Sequence, residues 1–313
     1  MTQVRPGRRL QILGVVLALA LPAVFMACGP DTATPTEAPA AFGEATVDRT
    51  GWPAKVRLGL IPTEANVIAD WTPVVEHLEA RLELEVEVFV GADYTATITA
   101  ARNGDVDIVQ LGPTSYVKAR EQGADIEPVV RWINEDSGIA GYNSLLITHK
   151  NSGITTIENA RGRTFAFNDP ESTSGFLVPT VFFLERNIDP ESYFSDVSFA
   201  GSHEATALAV VNGTVDLASN NNETLPRLFE TGKLNEDDLR IIWTSALIPT
   251  DPISVQNSLP ASFHTAVKEA FLSFDDPAAL GVLRIQGWIP TEDGDYDVVR
   301  TLEATRAQLA SVN

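Results

Sequence analysis

Residues 169–176 read Asp-Pro-Glu-Ser-Thr-Ser-Gly-Phe and follow an apolar strand, Thr164–Phe167, at the point where a helix begins. A helix N-terminus presents unpaired N–H donors and the positive end of the helix dipole. Ser172, Thr173 and Ser174 add three hydroxyls, and Gly175 permits close backbone approach. That chemistry suits a tetrahedral oxyanion. The same residues are equally suited to plain capping. No Gly-Lys-Ser/Thr follows, so this is not the phosphate loop of a nucleotide hydrolase.

A second strand-to-helix junction, Gly201-Ser202-His203-Glu204, puts His203 where it can donate to an anion or serve structurally. Glu223, in Asn-Asn-Asn-Glu-Thr, and Asp251, in Ile-Pro-Thr-Asp-Pro, each follow an expected strand. Two acids at one cleft can bind a cation, and either can instead cap or turn the chain. His77, His149 and His264 are scattered, and no His-Glu-x-x-His spacing occurs, which disfavours zinc. Gly-x-Ser-x-Gly is absent, and Ser172 has no adjacent histidine. No cofactor is expected.

These residues need a scaffold of strands and helices. Lys55–Pro62 reads as a strand, and Val67, Trp71, Val74, Val75, Leu78 and Leu82 follow at helical spacing. Residues 83–90 alternate with period two, Asp93 can cap a helix over Tyr94–Asn103, and Val106–Leu111 is a further strand. Gly112-Pro113 breaks it before a short helix carrying Tyr116. This alternation argues for an α/β unit with a largely parallel sheet. A second series starts near Tyr142. Its strands are expected at 144–148, 164–167, 197–200, 215–218 and 239–245, with helices at 203–212 and 223–231. Amphipathic helices close the chain near 260–273 and 297–310. Two α/β units imply a cleft between lobes, where ligands bind beyond strand ends.

The chain has 313 residues, 44% of them hydrophobic, and a formal net charge of −20. Long-range repulsion makes nucleic acid and anionic membrane surfaces poor partners. The single cysteine, Cys28, excludes an intrachain disulfide. Arg5, Arg8 and Arg9 precede the uncharged run Leu10–Ala27, and Cys28 follows it at once. This describes an export signal, with Cys28 placed as a lipidation site although Phe25 and Met26 depart from the usual lipobox. An uncleaved anchor and plain secretion are the alternative readings. Residues 1–28 are therefore expected as signal, and the Pro/Thr/Ala-rich residues 29–52 as a flexible tether. The folded head lies outside the cytoplasm.

Five motifs in order resemble the phosphate/phosphite/phosphonate-binding proteins of ABC importers, the PhnD-like family: GLIPTEAN, DYTATITAARNGDVDIVQLGPTSYV, FNDPESTSGFLVP, GSHEATALAVVNGTVDLA and IWTSALIPTDPISV. The resemblance runs from Lys55 to the C-terminus. It implies a two-lobed type II periplasmic-binding fold with two crossover strands, residues 53–140 plus 250–313 forming lobe 1 and 141–249 lobe 2. It implies that Ser172, Thr173, Ser174 and His203 hold the oxyanion from lobe 2. Tyr94, Tyr142, and Ser115 and Tyr116 of the Gly112–Tyr116 loop would line the cleft. Glu223 and Asp251 match positions that hold the ligand ammonium in aminoalkylphosphonate binders, although the Asp251 segment recurs in members binding phosphite or methylphosphonate. Asn143 stands where the family often has an aromatic residue. The resemblance further implies a monomer that is no enzyme, binds phosphite, methylphosphonate or 2-aminoethylphosphonate, closes on it near 139–144 and 246–253, and docks on an ABC permease and its ATPase. An exported phosphonate or phosphoester hydrolase and a sensing head for a membrane receptor are the competing readings.

Overall fold

The computed structural model describes residues 47–311. The expected signal, Cys28 and the tether up to residue 46 lie outside the described residues. Trp52, the last residue of the expected tether, is anchored: its indole N–H donates to Ser262 Oγ at 2.9 Å and its ring meets Phe263 edge-on.

The first lobe starts with β1 (Val56–Leu60), α1 (Val67–Leu82), β2 (Val86–Val90), α2 (Tyr94–Asn103), β3 (Ile108–Gln110), α3 (Pro113–Glu121) and β4 (Ile126–Asn134). The chain then passes through the short strand β5 (Gly141–Tyr142) into the second lobe. That lobe comprises β6 (Ser144–His149), β7 (Thr164–Phe167), α4 (Val178–Leu184), α5 (Pro190–Tyr193), β8 (Asp196–Phe199), α6 (His203–Val211), β9 (Leu217–Asn221), α7 (Thr224–Glu230) and β10 (Leu239–Thr244). It returns through β11 (Ile248–Pro249) to β12 (Pro252–Gln256), α8 (Ala261–Leu272), α9 (Pro277–Leu283), β13 (Ile285–Pro290) and α10 (Asp297–Ala310).

The two sheets are ordered β13-β4-β12-β3-β1-β2 and β10-β6-β9-β7-β8. Both are mixed rather than largely parallel. β1 runs parallel to β2 and β3, but β12, arriving from the other lobe, pairs antiparallel with both β3 and β4. The crossovers β5 and β11 pair with each other, Tyr142 opposite Ile248. The fold is thus two α/β lobes joined by a two-stranded ribbon.

Side-chain alternation explains the layering. In β1, Val56, Leu58 and Leu60 face a core closed by α1, α8 and α9. On the opposite face, Val109 joins α2 and α3 in a second core. In the second lobe, Leu146, Phe165, Phe167 and Leu217 point one way and Leu145, Ile147, Ala166 and Ala218 the other. Strand β4 carries Pro128, which in sequence argues against a central strand. Its pairing with β12 shifts register there, from Ile253 opposite Val130 to Ser254 opposite Pro128, and that irregularity accommodates the missing N–H.

Candidate ligand-binding site

Helix starts from both lobes converge on one cavity of about 70 Å³. From lobe 1, Asp93 caps α2 by accepting from Ala96 N at 2.7 Å, and Tyr94 opens that helix. From lobe 2, Ser172 caps a π-helical turn, Thr173–Leu177, accepting from Gly175 N at 3.0 Å. Single π turns inside helices often mark functional sites. The carbonyls of this turn are engaged, Ser174 O by Ser144 Oγ and Gly175 O by Ser219 Oγ, each at 2.6 Å. Gly175 N is spent on Ser172 Oγ and Leu177 N on Ser172 O, so the N–H groups of Thr173 and Ser174 are the donors the turn leaves for a ligand.

Thr173 Oγ1 accepts from Thr114 N across the cleft at 2.8 Å, which ties the rim of lobe 1 to the turn of lobe 2. His203 opens α6 behind the cap Ser202. It is 3% exposed, its Nδ1 has no hydrogen-bond partner, and burial pushes its pKa down to about 3, with Arg227 adding to the shift. It is a neutral imidazole at physiological pH.

The two acids line the same cavity. Glu223 Oε1 accepts from Trp132 Nε1 at 2.8 Å, and Asp251 Oδ2 accepts from Gln110 Nε2 at 2.6 Å. Burial raises both carboxyl pKa values, Asp251 well above the usual range, and the Glu223 charge raises Asp251 further. Arg227 reaches the cavity while paired with Glu64 of lobe 1. Tyr142 bridges the two chemistries. Burial raises its pKa most, both acids raise it further, and the hydroxyls of Ser174 and Thr173 hydrogen-bond it.

Of the residues singled out in the sequence, Tyr94, Tyr142, Ser172, Thr173, His203, Glu223 and Asp251 line the cavity. Three do not. Ser174 sits one step behind the wall, 1% exposed, with its Oγ near Asn221 Nδ2 at 3.4 Å. Ser115 Oγ donates to Glu171 O at 2.9 Å, joining the lobes instead of facing the cavity. Tyr116 is fully buried, donates to Asp293 Oδ1 at 2.6 Å and packs against Tyr296. The hydroxyl that the Gly112–Tyr116 loop suggested for a ligand is consumed inside lobe 1.

Sequence reasoning missed Gln110, Trp132, Trp288 and Arg227, which also line the cavity. Gln110 left a signal, a lone polar side chain in the apolar strand Val106–Leu111. Trp132 and Trp288 lie on β4 and β13, strands whose irregular registers hid them.

Residues 58–296 match the family model described as the periplasmic substrate-binding protein of phosphonate ABC transporters. The chain belongs to this family. Similar to this phosphonate-family chain is the phosphonates-binding periplasmic protein of Escherichia coli (strain K12), 34% identical over 242 residues, 75% of this chain and 71% of that one. The phosphate-import protein PhnD of Mycolicibacterium smegmatis is 29% identical over 273 residues, 80% and 85% of the two chains. A binding-protein component of an ABC phosphonate transporter from Pseudomonas aeruginosa has a solved structure 32% identical to this chain. It superposes with a TM-score of 0.76, covering 82% and 87% of the two chains. These relatives are substrate-binding transport proteins, not enzymes. As a periplasmic phosphonate-family binding protein, the chain works outside the cytoplasm.

Proposed function

We propose that this chain captures an aminoalkylphosphonate outside the cytoplasm and delivers it to an ABC permease and its ATPase. One observation carries the choice of ligand: Ser172, Thr173 and His203 share a cavity with Glu223 and Asp251. In this reading the hydroxyls, the neutral His203 and the N–H groups of the π turn hold the phosphonate oxygens, while the acids face the ammonium. Phosphite and methylphosphonate have no cation to offset two buried acids, so they are disfavoured relative to 2-aminoethylphosphonate. Each charge-assisted hydrogen bond contributes about 1.5–3 kcal/mol, so a handful, less the ordering terms, reaches micromolar affinity, about −8 kcal/mol.

The reading includes a monomeric head tethered through lipid on Cys28, with lobes divided at residues 53–140 plus 250–313 and 141–249. The lobes close by hinge motion near 139–144 and 246–253. Support for the hinge comes from the narrow ribbon of β5 and β11 that carries both crossings.

Calorimetric titration at pH 7 with phosphate, phosphite, methylphosphonate and 2-aminoethylphosphonate tests the proposal. The expected result is tightest binding of 2-aminoethylphosphonate, weakened at least tenfold by Glu223→Gln or Asp251→Asn. Equal affinity for methylphosphonate would make the acids structural, and no heat with any of the four would reject a phosphorus oxyanion.

A further inference from the structure

Asp251 stands just before β12, and its backbone is clamped on both sides. Thr250 Oγ1 donates to Trp132 O at 2.6 Å, Thr250 O accepts from the Tyr296 hydroxyl at 3.2 Å, and Pro252 O accepts from Leu111 N at 3.3 Å. What remains to be fixed is the rotation of the carboxylate. β3 and β12 run antiparallel with Gln110 opposite Ile253, two residues past Asp251. Period-two alternation therefore puts Gln110 and Asp251 on one face of the lobe 1 sheet. Their contact lies within one lobe and does not depend on closure. Glu223 is held differently, by Trp132 Nε1 from the opposite lobe.

The Gln110 amide is fixed in orientation. The β1–β3 ladder ends with Gly59 opposite Val109, and beyond it Ile61 N donates to Gln110 Oε1 at 3.2 Å. The amide oxygen is spent on that backbone donor, so Nε2 is the group that meets Asp251 Oδ2, at 2.6 Å. Among the described residues nothing hydrogen-bonds Asp251 Oδ1, and that oxygen is left for a ligand.

The electrostatic surroundings make this donor matter. Around Asp251 stand Glu223 and Arg227 at the start of α7 and within it, Tyr94 of α2, Tyr142 of β5, His203 of α6 and Tyr296 just before α10. Burial keeps the three phenols and the imidazole neutral. Burial also opposes the charge on Asp251, and Glu223 adds to that, while the Gln110 N–H and the Arg227 guanidinium favour it. Arg227 is shared with Glu64. The Gln110 N–H is the donor in direct contact with Asp251.

We infer that Gln110 is a positioning residue for the ammonium end of the site: it acts through Asp251, holding Oδ2 so that Oδ1 faces the ligand as a charged acceptor, and so sets the preference for an aminoalkyl over an alkyl phosphonate. The inference rests on the aminoalkylphosphonate reading above.

The test titrates the full chain, as wild type and Gln110→Met, with 2-aminoethylphosphonate and ethylphosphonate at pH 7 and pH 9. Ligand ionisation is common to both proteins, so it cancels when their preferences for the amine are compared. At pH 7 the variant should lose about tenfold or more of the wild-type preference. At pH 9, where Asp251 ionises without the donor, the loss should shrink to about threefold or less. In an Asp251→Asn background, Gln110→Met should change the preference by less than about twofold, because its route runs through Asp251. Gln110→Leu, a second apolar shape, should repeat the result. An unchanged preference, an equal loss at both pH values, or an undiminished loss in the Asp251→Asn background would overturn the inference and leave the aminoalkylphosphonate reading standing. Loss of both ligands alike in both variants would also overturn it, making Gln110 structural. Wild-type protein that binds ethylphosphonate as tightly as the amine would instead reject the aminoalkylphosphonate reading itself.

Discussion

Asp251 carries a protonation equilibrium that can be read in stability. Burial raises its carboxyl pKa well above the usual range, and the Glu223 charge adds to that. A group with a raised folded pKa contributes stability that is fully present below its unfolded value, about 3.9, and lost as pH rises through the folded value. Above the usual carboxylate range, therefore, the ligand-free Asp251 destabilises the fold relative to a neutral side chain. Asp251→Asn keeps an acceptor for Gln110 and removes the charge. Thermal melts without ligand should show Tm raised by about 2–4 °C at pH 8. The gain should shrink steadily as pH falls toward about 4. A gain independent of pH would mean that ionisation is not its source. His203 behaves oppositely. Its imidazole is held neutral by burial, so it adds no titration to ligand affinity between pH 5 and 8.

At the scale of elements, the π turn before α4 depends on one residue without a side chain. A Cβ on Gly175 would lie 2.3 Å from Asn168 Cβ and 2.8 Å from Ser172 Oγ. Asn168 is fully buried and cannot retreat cheaply. Gly175→Ala should therefore push the turn away from β7, destabilise the fold by about 1–3 kcal/mol and weaken phosphonate binding at least tenfold. A melt and a titration together check this, and an unchanged affinity would show that the turn does not shape the site. The stretch was legible because hydroxyls, glycine and a preceding strand coincide in sequence. β12 and β13 were not, because a buried five-residue strand such as Pro252–Gln256 has no period of its own. Their partners come from β3 and β4, remote in sequence.

At the scale of the whole molecule, several polar contacts join the two lobes across the cleft. Glu64 pairs with Arg227, Glu204 Oε2 accepts from Ala65 N at 3.0 Å, Arg284 reaches Glu230, and Lys118 meets Glu171 at 2.7 Å. The Glu64–Arg227 pair is the buried one, with Glu64 8% exposed. Removing one partner of a buried pair leaves the other charge uncompensated, which opposes burial. On the proposed hinge motion, Glu64→Gln should favour the open form and raise ligand Kd about tenfold, with the change chiefly in the dissociation rate. Stopped-flow measurement of both rate constants checks it. A drop confined to the association rate would assign Glu64 to steering instead of closure.

The sequence by itself determined the class of the protein: two α/β series, hydroxyl and histidine residues at helix starts, two acids after strands, and ordered motifs that mark the family. These are local signals, set by the periodicity and junction chemistry of contiguous residues. Tertiary structure alone decided which groups meet. It turned Tyr116 inward to Asp293, joined Ser115 to Glu171, and brought Trp132 and Gln110 to the two acids. The reason is topological. Lobe 1 is completed by β12 only after the chain has built lobe 2, so both walls of the cavity are assembled from segments far apart in sequence.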